Sequence, residues 1–556
     1  MIAGEIAHRS ARSINAYTFL QSGAGAKKRT AQNKARDTIS VKDFGAVGDG
    51  VTDDTAAVNA ALVNANLTGR PVSGLGLTYA VSGNITLPAI ADIRDAAFRQ
   101  LTPNSTSRRT LYQLNGTLCH LVNVKVDRNG TGAYGSVQDA AGIYISATNR
   151  VILDNVEVTG SDYGNGIVCV DCDDVRMVNP YVHDMTHGTN ATADPGDDRM
   201  QGVWLIRGNR AVIIAPRVQN LKAMWSGQAA FNRWTRGIAV SGTKNWTIVA
   251  PEIDNVDQGI DISGDENPEF FAVLGGTASN CYTWGYKCAN SVQNGQFLGC
   301  LAYRCGIAGF VASAPSVVMS DLTQKIDYIG CRSIGSGYGG VWQASSNVCG
   351  FRAMSSVQYP DYPRGVRWIG CTADADGATM EYGFLSDVAL GGDGDVWVEA
   401  VDCSSHGHTV DDYYGLSQGV ALRQRSATFS VPNNAWTAID WDNTTVNRMG
   451  ATVGTASEIY IRRSGLYMVT CGVEFAGNAN GTRALRLQRN GTTLAGAYTR
   501  ISASDANTKA ITVSFPVLCN SGDLLSAQAL QESGGALNIL GGSALSAALI
   551  ASGMGQ

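Results

Sequence analysis

Seven carboxylates crowd one stretch of this 556-residue chain, and their number there points to acid–base chemistry. The members are Glu252, Asp254, Asp257, Asp261, Asp265, Glu266 and Glu269. Hydrolysis of a glycosidic bond needs one carboxyl group as acid and a second as nucleophile or base, about 5 Å apart for retention and about 6.5–9.5 Å apart for inversion. We therefore take Asp261, Asp257 and Glu266 as candidate catalytic residues, with a plain salt bridge or turn cap as the competing interpretation.

A second acidic segment, HDMTHGTNATADPGDDRMQ at 183–201, offers Asp197 and Asp198 as candidate acids. The ADPGDD string within it is equally typical of an ordinary turn. His183 and His187 could bind a metal ion only on one face of a helix, because they are four residues apart. The segment reads as a loop, so we predict no metal site and no cofactor.

Aromatic rings near these acids could stack on the C–H faces of sugars, as they do on other apolar surfaces. Candidate substrate-binding residues are Trp204, Trp225, Trp234 and Tyr282, with the basic Arg236 and Lys287. The alternative is that the rings are buried against the protein body or a neighbouring subunit, and that Lys287 pairs with Asp261. Asp171 and Arg207 are predicted to form a structural ion pair.

A repeat must position these residues. Gly followed by alternating apolar residues recurs in GIYISA (142), GIVCVD (166), GVWLIR (202), GIAVSG (237) and GIDISG (259), and a longer strand-like segment follows each copy. Anchor residues taken from the longer segments are Asn155, Pro180, Pro216, Pro251, Gly276, Cys300, Cys331 and Cys371. Their smallest spacings are 24–25 residues, which suits one coil of about three short strands. The pattern predicts a β-solenoid.

Strand alternation assigns the side chains to faces. Positions one and three after the Gly should point inward, and position two should point outward: Tyr144, Val168, Trp204, Ala239, Asp261 and Lys287. Asp261 is thus predicted to be exposed at mid-strand, with Lys287 one coil away and Trp204 two coils away. On this basis, Asp261→Asn should lower turnover at least ~100-fold without loss of thermal stability.

Composition narrows the class of protein. Sixty-five Gly and 16% charged residues suit many short strands and turns. A net charge of −5 offers no broad basic surface for nucleic acid, and no apolar run is long enough to span a membrane. The thirteen cysteines are predicted to be buried and reduced, with Cys300, Cys331, Cys371 and Cys403 stacked in a column at a turn. Reduced cysteines indicate synthesis in a reducing cytoplasm. The first residues do not look like a signal peptide.

The two ends differ from the repeat. Residues 1–38 are polar with a basic cluster and read as an attachment or linker segment. The string VKDFGAVGDGVTDDT at 41–55 combines strand, Gly-rich turn and helix start, with Thr52 or Asp53 as helix cap. The helix is predicted to have one apolar face, formed by Val58, Ala61, Leu62 and Ala65. Residues 39–425 then form the capped solenoid. From 426 to 556, separated strands with turn signals, such as RRSGLYMVTCGVEF at 462, predict an antiparallel β domain.

The string at 41–55 and the coils after it closely resemble the pectate-lyase-like proteins, and the whole order resembles bacteriophage tailspike depolymerases. The resemblance implies an all-β chain: a right-handed parallel β-helix with a C-terminal jelly-roll β-sandwich that holds a homotrimer and could bind carbohydrate.

In function, it implies a virion protein, attached to another tail or baseplate protein through its N-terminus. Made in the host cytoplasm, it would bind and cut a polysaccharide at the bacterial surface, whether capsule, exopolysaccharide or O-antigen. Endo-glycosidic hydrolysis is the first expectation. A polysaccharide lyase and a non-catalytic adhesin are the alternatives.

Overall fold

The computed structural model describes most of the chain in two compact units, 1–287 and 288–556. The described residues are 17–101, 109–132, 140–187, 200–223, 235–263, 269–314, 324–337, 347–356, 358–359, 362–387, 398–414, 420–447, 456–461, 464–503, 505–520 and 522–552. Both units consist almost entirely of β-strands.

The first unit opens with a short hairpin, Thr18–Phe19 with Arg29–Thr30, and a helix at Ala31–Ala35. Next come strand Ile39–Ser40, a 3-10 helix at Val41–Phe44, strand Asp49–Asp53 and helix Thr55–Thr68. The turn depends on glycine: Gly45, Gly48 and Gly50 have φ values of 91°, 69° and 75°, which glycine adopts without steric cost.

Helix Thr55–Thr68 begins one or two residues later than the sequence predicts, because its N-cap is Asp54 rather than Thr52 or Asp53. The buried Asp54 carboxylate accepts hydrogen bonds from the backbone N–H groups of Val47 (2.7 Å) and Gly48 (2.9 Å). It therefore secures the Gly-rich turn rather than the first turn of the helix. The helix buries Val58, Ala61, Leu62 and Ala65, which is the predicted apolar face.

The first unit contains three parallel sheets, and each coil contributes one strand to each sheet. Sheet 1 comprises Ile85–Thr86, Arg109–Leu114, Ala141–Ser146, Asn165–Val170, Met200–Ile206, Thr235–Ser241, Gln258–Ile262 and Trp284–Ala289, in which the unit ends. Sheet 2 comprises Arg150–Asp154, Asp174–Val178, Arg210–Ile214, Trp246–Val249 and Glu269–Leu274. Sheet 3 comprises Glu157–Tyr163, Tyr181–His187, Arg217–Ala223, Glu252–Asp254 and Thr277–Ser279. The long strands Val72–Val81, Ile90–Gln100 and Leu118–Gly132 precede these strands in the chain and pair with one another in that order. The last of them pairs with the first strand of sheet 2 and with the first strand of sheet 3.

The recurrent glycine of the repeat has a steric cause. A Cβ at Gly202 would lie 2.5 Å from the carbonyl oxygen of Gly237 and 2.6 Å from the side chain of Val218. At Gly237 it would meet the Gly259 carbonyl oxygen and Ile253, both at 2.6 Å. Only glycine fits where neighbouring coils approach this closely.

The corner between sheets 2 and 3 is a column of residues in left-handed conformation. Asn123, Asn155 and Asn179 have φ values of 50–53°, which asparagine tolerates better than most residues. Their amides form a ladder, Asn155 Nδ2 to Asn123 Oδ1 (3.1 Å) and Asn179 Nδ2 to Asn155 Oδ1 (3.0 Å). These turns hold successive coils in one register.

The second unit contains further coils of the same kind. One of its parallel sheets contains Ala308–Ser313, Cys349–Met354, Tyr382–Ser386 and Asp411–Tyr414. Another contains Gln293–Leu298, Gln324–Ile329, Arg364–Ile369 and Val398–Val401. A further one contains Leu301–Tyr303, Arg332–Ile334, Thr372–Asp374 and Ser404–His406. In the core, Phe310, Phe351, Phe384 and Tyr413 stack with centroid separations of 4.7, 4.8 and 5.2 Å.

The predicted cysteine column is present in this unit. The Sγ atoms of Cys331, Cys371 and Cys403 each donate to a backbone carbonyl of the preceding coil, at 3.4, 3.2 and 3.2 Å. All thirteen cysteines are free thiols, and all except the half-buried Cys403 are buried. They pack as small apolar residues, as expected.

Two antiparallel sheets follow the coils and enclose one core. The first contains Val420–Gln424, Phe429–Val431, Asn443–Asn447, Gly465–Phe475, Lys509–Cys519, Leu537–Ile539 and Ala544–Ser552. The second contains Thr437–Ala438, Glu458–Tyr460, Thr482–Arg489, Thr492–Ser502 and Leu524–Gln531. Tyr467, Phe475, Leu485 and Leu525 lie in the core between them.

The parallel β-helix and the antiparallel C-terminal sheets agree with the sequence prediction, with three strands per coil. One anchor is wrong: the register aligns Val156, not Asn155, with Pro180, because Glu157 pairs with Tyr181. Jelly-roll topology for the antiparallel sheets stays a prediction. Among the described helices, none has the length and apolar character to cross a membrane.

Candidate functional site

The outward-facing column of sheet 1 contains the residues singled out from the sequence. In-register pairing aligns Tyr144, Val168, Trp204, Ala239 and Asp261. Ile260 and Ile262 on either side of Asp261 are buried in the core, so alternation places the Asp261 carboxylate on the opposite face of the sheet. The predicted order along the column is confirmed.

The prediction that Asp261 is exposed is wrong, because its side chain has no accessible surface. Arg236 Nε lies 2.5 Å from Asp261 Oδ2, and Lys287 Nζ lies 3.4 Å from Oδ1. The ammonium group of Lys287 also lies 4.8 Å from the ring centroid of Trp284. Two largely buried cations therefore enclose the carboxylate, and a buried charge needs such partners.

Asp257 is also buried, and it organises the same turn region. Its Oδ1 accepts a hydrogen bond from Thr283 Oγ1 (3.0 Å), and its backbone N–H donates to Thr235 Oγ1 (2.9 Å). The fold thus brings four candidate residues close together in neighbouring coils: Arg236, Asp257, Asp261 and Lys287. Their polar groups are largely buried and are not open to a substrate.

The other predicted site residues are placed differently. Trp204 is half-buried, donates from Nε1 to Ser241 Oγ at 3.3 Å, and packs beside Val168 and Val170. Tyr282 is half-buried. The candidates Asp197, Asp198, Glu266, Trp225 and Trp234 lie outside the described residues.

A groove of about 400 Å³ lies open along sheet 3 and its preceding corner. Its lining residues are Asn155, Val156, Glu157, Asn179, Tyr181, Ala215, Arg217, Ala250 and Glu252. Glu157, Tyr181, Arg217 and Glu252 occupy one register position on four consecutive strands. At about 4.8 Å per strand, the row extends over about 14 Å. From here on, this is called the sheet 3 groove.

Glu157 at one end of the groove is neutralised by two neighbours. Lys125 Nζ lies 2.6 Å and His183 Nε2 3.1 Å from Glu157 Oε1. Burial raises the pKa of Glu157, but hydrogen bonds from Lys125 and His183 outweigh it and leave the pKa below its usual value. His183 Nδ1 also contacts Asp184 Oδ2 at 2.8 Å, so neither ring nitrogen is available to a metal ion.

Arg217 and Glu252 form the other end. The guanidinium Cζ of Arg217 lies 4.2 Å from the ring centroid of Tyr181, whose other neighbour, His183, stacks at 4.1 Å. Within the described part of the chain, neither Arg217 nor Glu252 makes an ion pair or a side-chain hydrogen bond, although the two are paired in register. This end therefore presents unused donors and acceptors to solvent.

Sequence reasoning named Glu252 among the carboxylates but missed Glu157, Tyr181 and Arg217. The available signal was the residue that follows Val156, Pro180, Pro216 and Pro251 at each corner. In all four coils this residue is polar or aromatic, and it is the first residue of a sheet 3 strand. Such a pattern indicates a row of side chains that point away from the core. Within the described residues, no group of three or more His, Cys, Asp or Glu side chains is placed to hold a metal ion.

Comparison with known proteins shows sequence similarity over short segments of this chain. Residues 46–100 match the family model for the N-terminal extension of bacteriophage endosialidase. The tail spike protein of an Escherichia phage is 48% identical over 59 residues, which is 11% of this chain. The matched region spans only 7% of that relative's length. The family-model match thus covers most of the Gly-rich turn and helix Thr55–Thr68.

Solved structures extend the similarity to the fold. A mutant tailspike protein of E. coli bacteriophage HK620 covers 99% of this chain at 10% identity, with all of its own length and a TM-score of 0.53. The A-module of mannuronan C-5 epimerase AlgE4 from Azotobacter vinelandii covers 67% of this chain and 96% of its own at 14% identity, with a TM-score of 0.40. Together with the coils, the first of these shows that the chain has a fold similar to that of a phage tailspike, built on a parallel β-helix.

Proposed function

We propose that this protein is a phage tailspike that binds and depolymerises a bacterial surface polysaccharide by endo-glycosidic hydrolysis. The single observation that carries the proposal is the sheet 3 groove, which is open, about 14 Å long and lined by carboxylates, an arginine and asparagines. Such groups hydrogen-bond sugar hydroxyls as donors and acceptors. The groove has room for more than one ring of an extended glycan.

The carboxylates best placed for hydrolysis are Glu252 and Asp254. They are two residues apart on strand Glu252–Asp254, so their side chains share a face and their Cα atoms are about 6.6 Å apart. Ser279 Oγ and Asn280 Nδ2 both donate to Asp254 Oδ1 at 2.7 Å and orient that carboxylate. Inverting enzymes have carboxyl groups about 6.5–9.5 Å apart, and we propose an inverting pair because this backbone spacing is at the lower end of that range.

In this mechanism, the carboxyl group of Asp254 gives its proton to the glycosidic oxygen while the C1–O bond breaks and its electron pair stays on that oxygen. The carboxylate of Glu252 takes a proton from a water molecule, whose oxygen forms the new bond to C1. One bond is hydrolysed by one water, and solvent exchange restores the two protonation states. Asp261 takes no part in this step, because its buried carboxylate does not contact the groove's solvent.

The known proteins support the proposal without fixing the reaction. One similar protein is a tail spike of a phage, and the HK620 tailspike has been solved with a pentasaccharide. From these we infer that the chain is a virion component, attached through its N-terminal segment to another tail or baseplate protein. The proposal also includes a homotrimer, synthesis in the host cytoplasm and action at the bacterial cell surface.

One observation favours a lyase as second candidate. β-Elimination needs a cation to neutralise a uronate carboxylate, and Arg217 makes no ion pair in the described part of the chain. A lyase product would carry an unsaturated ring and absorb near the ultraviolet edge. A hydrolase product would show new reducing ends without that absorbance.

The test uses the full-length protein on capsular polysaccharide purified from strains on which it produces clearing haloes. We expect new reducing ends, oligosaccharides in mass spectra and an inverted anomer by NMR. Glu252→Gln should lower turnover at least ~100-fold, whereas Asp174→Asn, an exposed control on sheet 2, should leave it unchanged. Binding without cleavage would make the protein an adhesin and end the hydrolase proposal.

A further inference from the structure

We propose that Arg217 is the specificity-determining residue of the sheet 3 groove and selects a glycan whose repeating unit carries a carboxylate. The inference rests on the proposed function, since it names the substrate class of the same groove. It concerns recognition by the groove and is independent of which carboxylates cut the bond.

The first observation is that, among the residues that the structure describes, an aromatic ring and not a salt bridge holds Arg217 in place. Its guanidinium lies over Tyr181, and Tyr181 is fixed in turn by stacking on His183 and by donating from its hydroxyl to Gln219 Oε1 at 3.1 Å. Stacking on an aromatic face uses the plane of the guanidinium and leaves its edge, where the N–H donors lie. The donors are therefore positioned before any ligand binds.

The second observation is that nearby carboxylates do not neutralise this cation. Glu157, two strands away, is engaged by Lys125 and His183. Glu252 lies on the adjacent strand at the same register position but forms no ion pair with Arg217. The groove thus keeps one cation and one anion side by side, both directed to solvent.

These two features fit one chemistry. A planar guanidinium edge binds a carboxylate through two parallel hydrogen bonds, which a lysine cannot reproduce. The hydroxyl groups of the same sugar can donate to Glu252. A ring that bears both a carboxylate and hydroxyls satisfies both residues, whereas a neutral sugar leaves the arginine charge without a counter-ion.

The experiment compares one polysaccharide in two chemical forms. Capsular polysaccharide from a strain that the protein clears is purified, its composition is determined, and a portion is treated with carbodiimide and borohydride, which reduces carboxylates to alcohols. Binding of both forms is measured with full-length protein for the wild type, Arg217→Gln, Arg217→Lys and Arg210→Gln. Arg210 is an exposed arginine of the same coil on sheet 2 and serves as control.

We expect a carboxylate in the repeating unit and binding about 10–100-fold weaker after reduction, which is the range for losing a charged hydrogen-bonded pair. Arg217→Gln should lose the same factor on the native form and be indifferent to reduction. Arg217→Lys should recover little, and Arg210→Gln should match the wild type.

The outcomes separate the two proposals. If the wild type binds and cuts a neutral polysaccharide, or binds the reduced form equally well, the role of Arg217 is refuted while the depolymerase function stands. Arg217→Gln that remains as sensitive to reduction as the wild type would also refute it. If no surface polysaccharide is bound or cut, the proposed function itself fails.

Discussion

At the scale of single residues, burial decides which carboxylates are available for chemistry. Asp261 and Glu252 belong to the same acidic stretch, but Asp261 is enclosed by Arg236 and Lys287 while Glu252 is exposed in the sheet 3 groove. A carboxylate with no accessible surface cannot contact a glycan. We therefore assign Asp261 to charge neutralisation between strands and Glu252 to the substrate groove.

Asp261→Asn tests that assignment. The substitution leaves Arg236 and Lys287 without their shared carboxylate, and breaking a buried ion pair costs about 3–5 kcal/mol. We expect a clearly lower melting temperature by calorimetry, contrary to the unchanged stability expected from the sequence. Asp171→Asn is the control, since the Asp171–Arg207 pair is exposed and such pairs contribute about 0–1 kcal/mol.

An Asp261→Asn protein that melts like the wild type but turns over at least ~100-fold more slowly would contradict the structural assignment. Asp261 and its neighbour Asp257 would then again be candidate catalytic residues. Equal melting temperatures for both variants would likewise count against a stabilising role for the buried pair.

At the scale of elements, helix Thr55–Thr68 joins the Gly-rich turn to the coils. Its buried face, which includes Leu62, packs against strand Val72–Val81 and the 3-10 helix Val41–Phe44. An amphipathic helix of this length gains most of its stability from such packing rather than from propensity. The helix is therefore expected to protect the first strands of the β-helix.

Leu62→Ala should destabilise the protein by about 2–5 kcal/mol, the range for truncating a fully buried leucine. Leu67→Ala is a matched control, because Leu67 is on the same helix and is 79% exposed. Urea unfolding followed by circular dichroism measures both. Similar midpoints for the two variants would show that the helix does not depend on its buried face.

At the scale of the whole molecule, the antiparallel sheets after the coils supply a surface suited to a subunit interface. Strand Gly465–Phe475 buries alternate residues such as Tyr467 and leaves Met468 38% exposed, while Leu518 on the paired strand is 41% exposed. A trimer held by the C-terminal region stays a prediction, and these two side chains are positions at which it can be tested.

Removal of the C-terminal region should yield monomers or aggregates instead of a trimer. The cut should fall before Val420, because strand Val420–Gln424 pairs with Ala544–Ser552 and would otherwise lose its partner. Sedimentation of the truncated chain and of a full-length Met468→Lys, Leu518→Lys double variant measures the oligomeric state. A truncated chain that remains a soluble trimer would refute the role of these sheets.

Much of this architecture could be read from the sequence, since local steric and periodic rules govern it. Three local patterns are visible in the sequence. Glycine recurs where an added Cβ would lie about 2.5 Å from the next coil, apolar residues alternate along the strands, and cysteines recur at one corner. These patterns predicted the coils, the order Trp204–Ala239–Asp261, the Asp171–Arg207 pair and the buried face of helix Thr55–Thr68.

The sequence by itself determined the parallel β-helix and which side chains leave its core, because alternation along a strand is a local property. Only the tertiary structure decided which outward side chains remain in contact with solvent. Arg236 and Lys287 come to Asp261 from neighbouring coils and bury it, while Tyr181 holds Arg217 beside an exposed Glu252. Alternation and coil spacing offered the Asp261–Lys287 pair as an alternative, and the structure confirms it. The burial of that pair and the position of Arg217 depend on contacts between residues more than twenty positions apart, which no local pattern encodes.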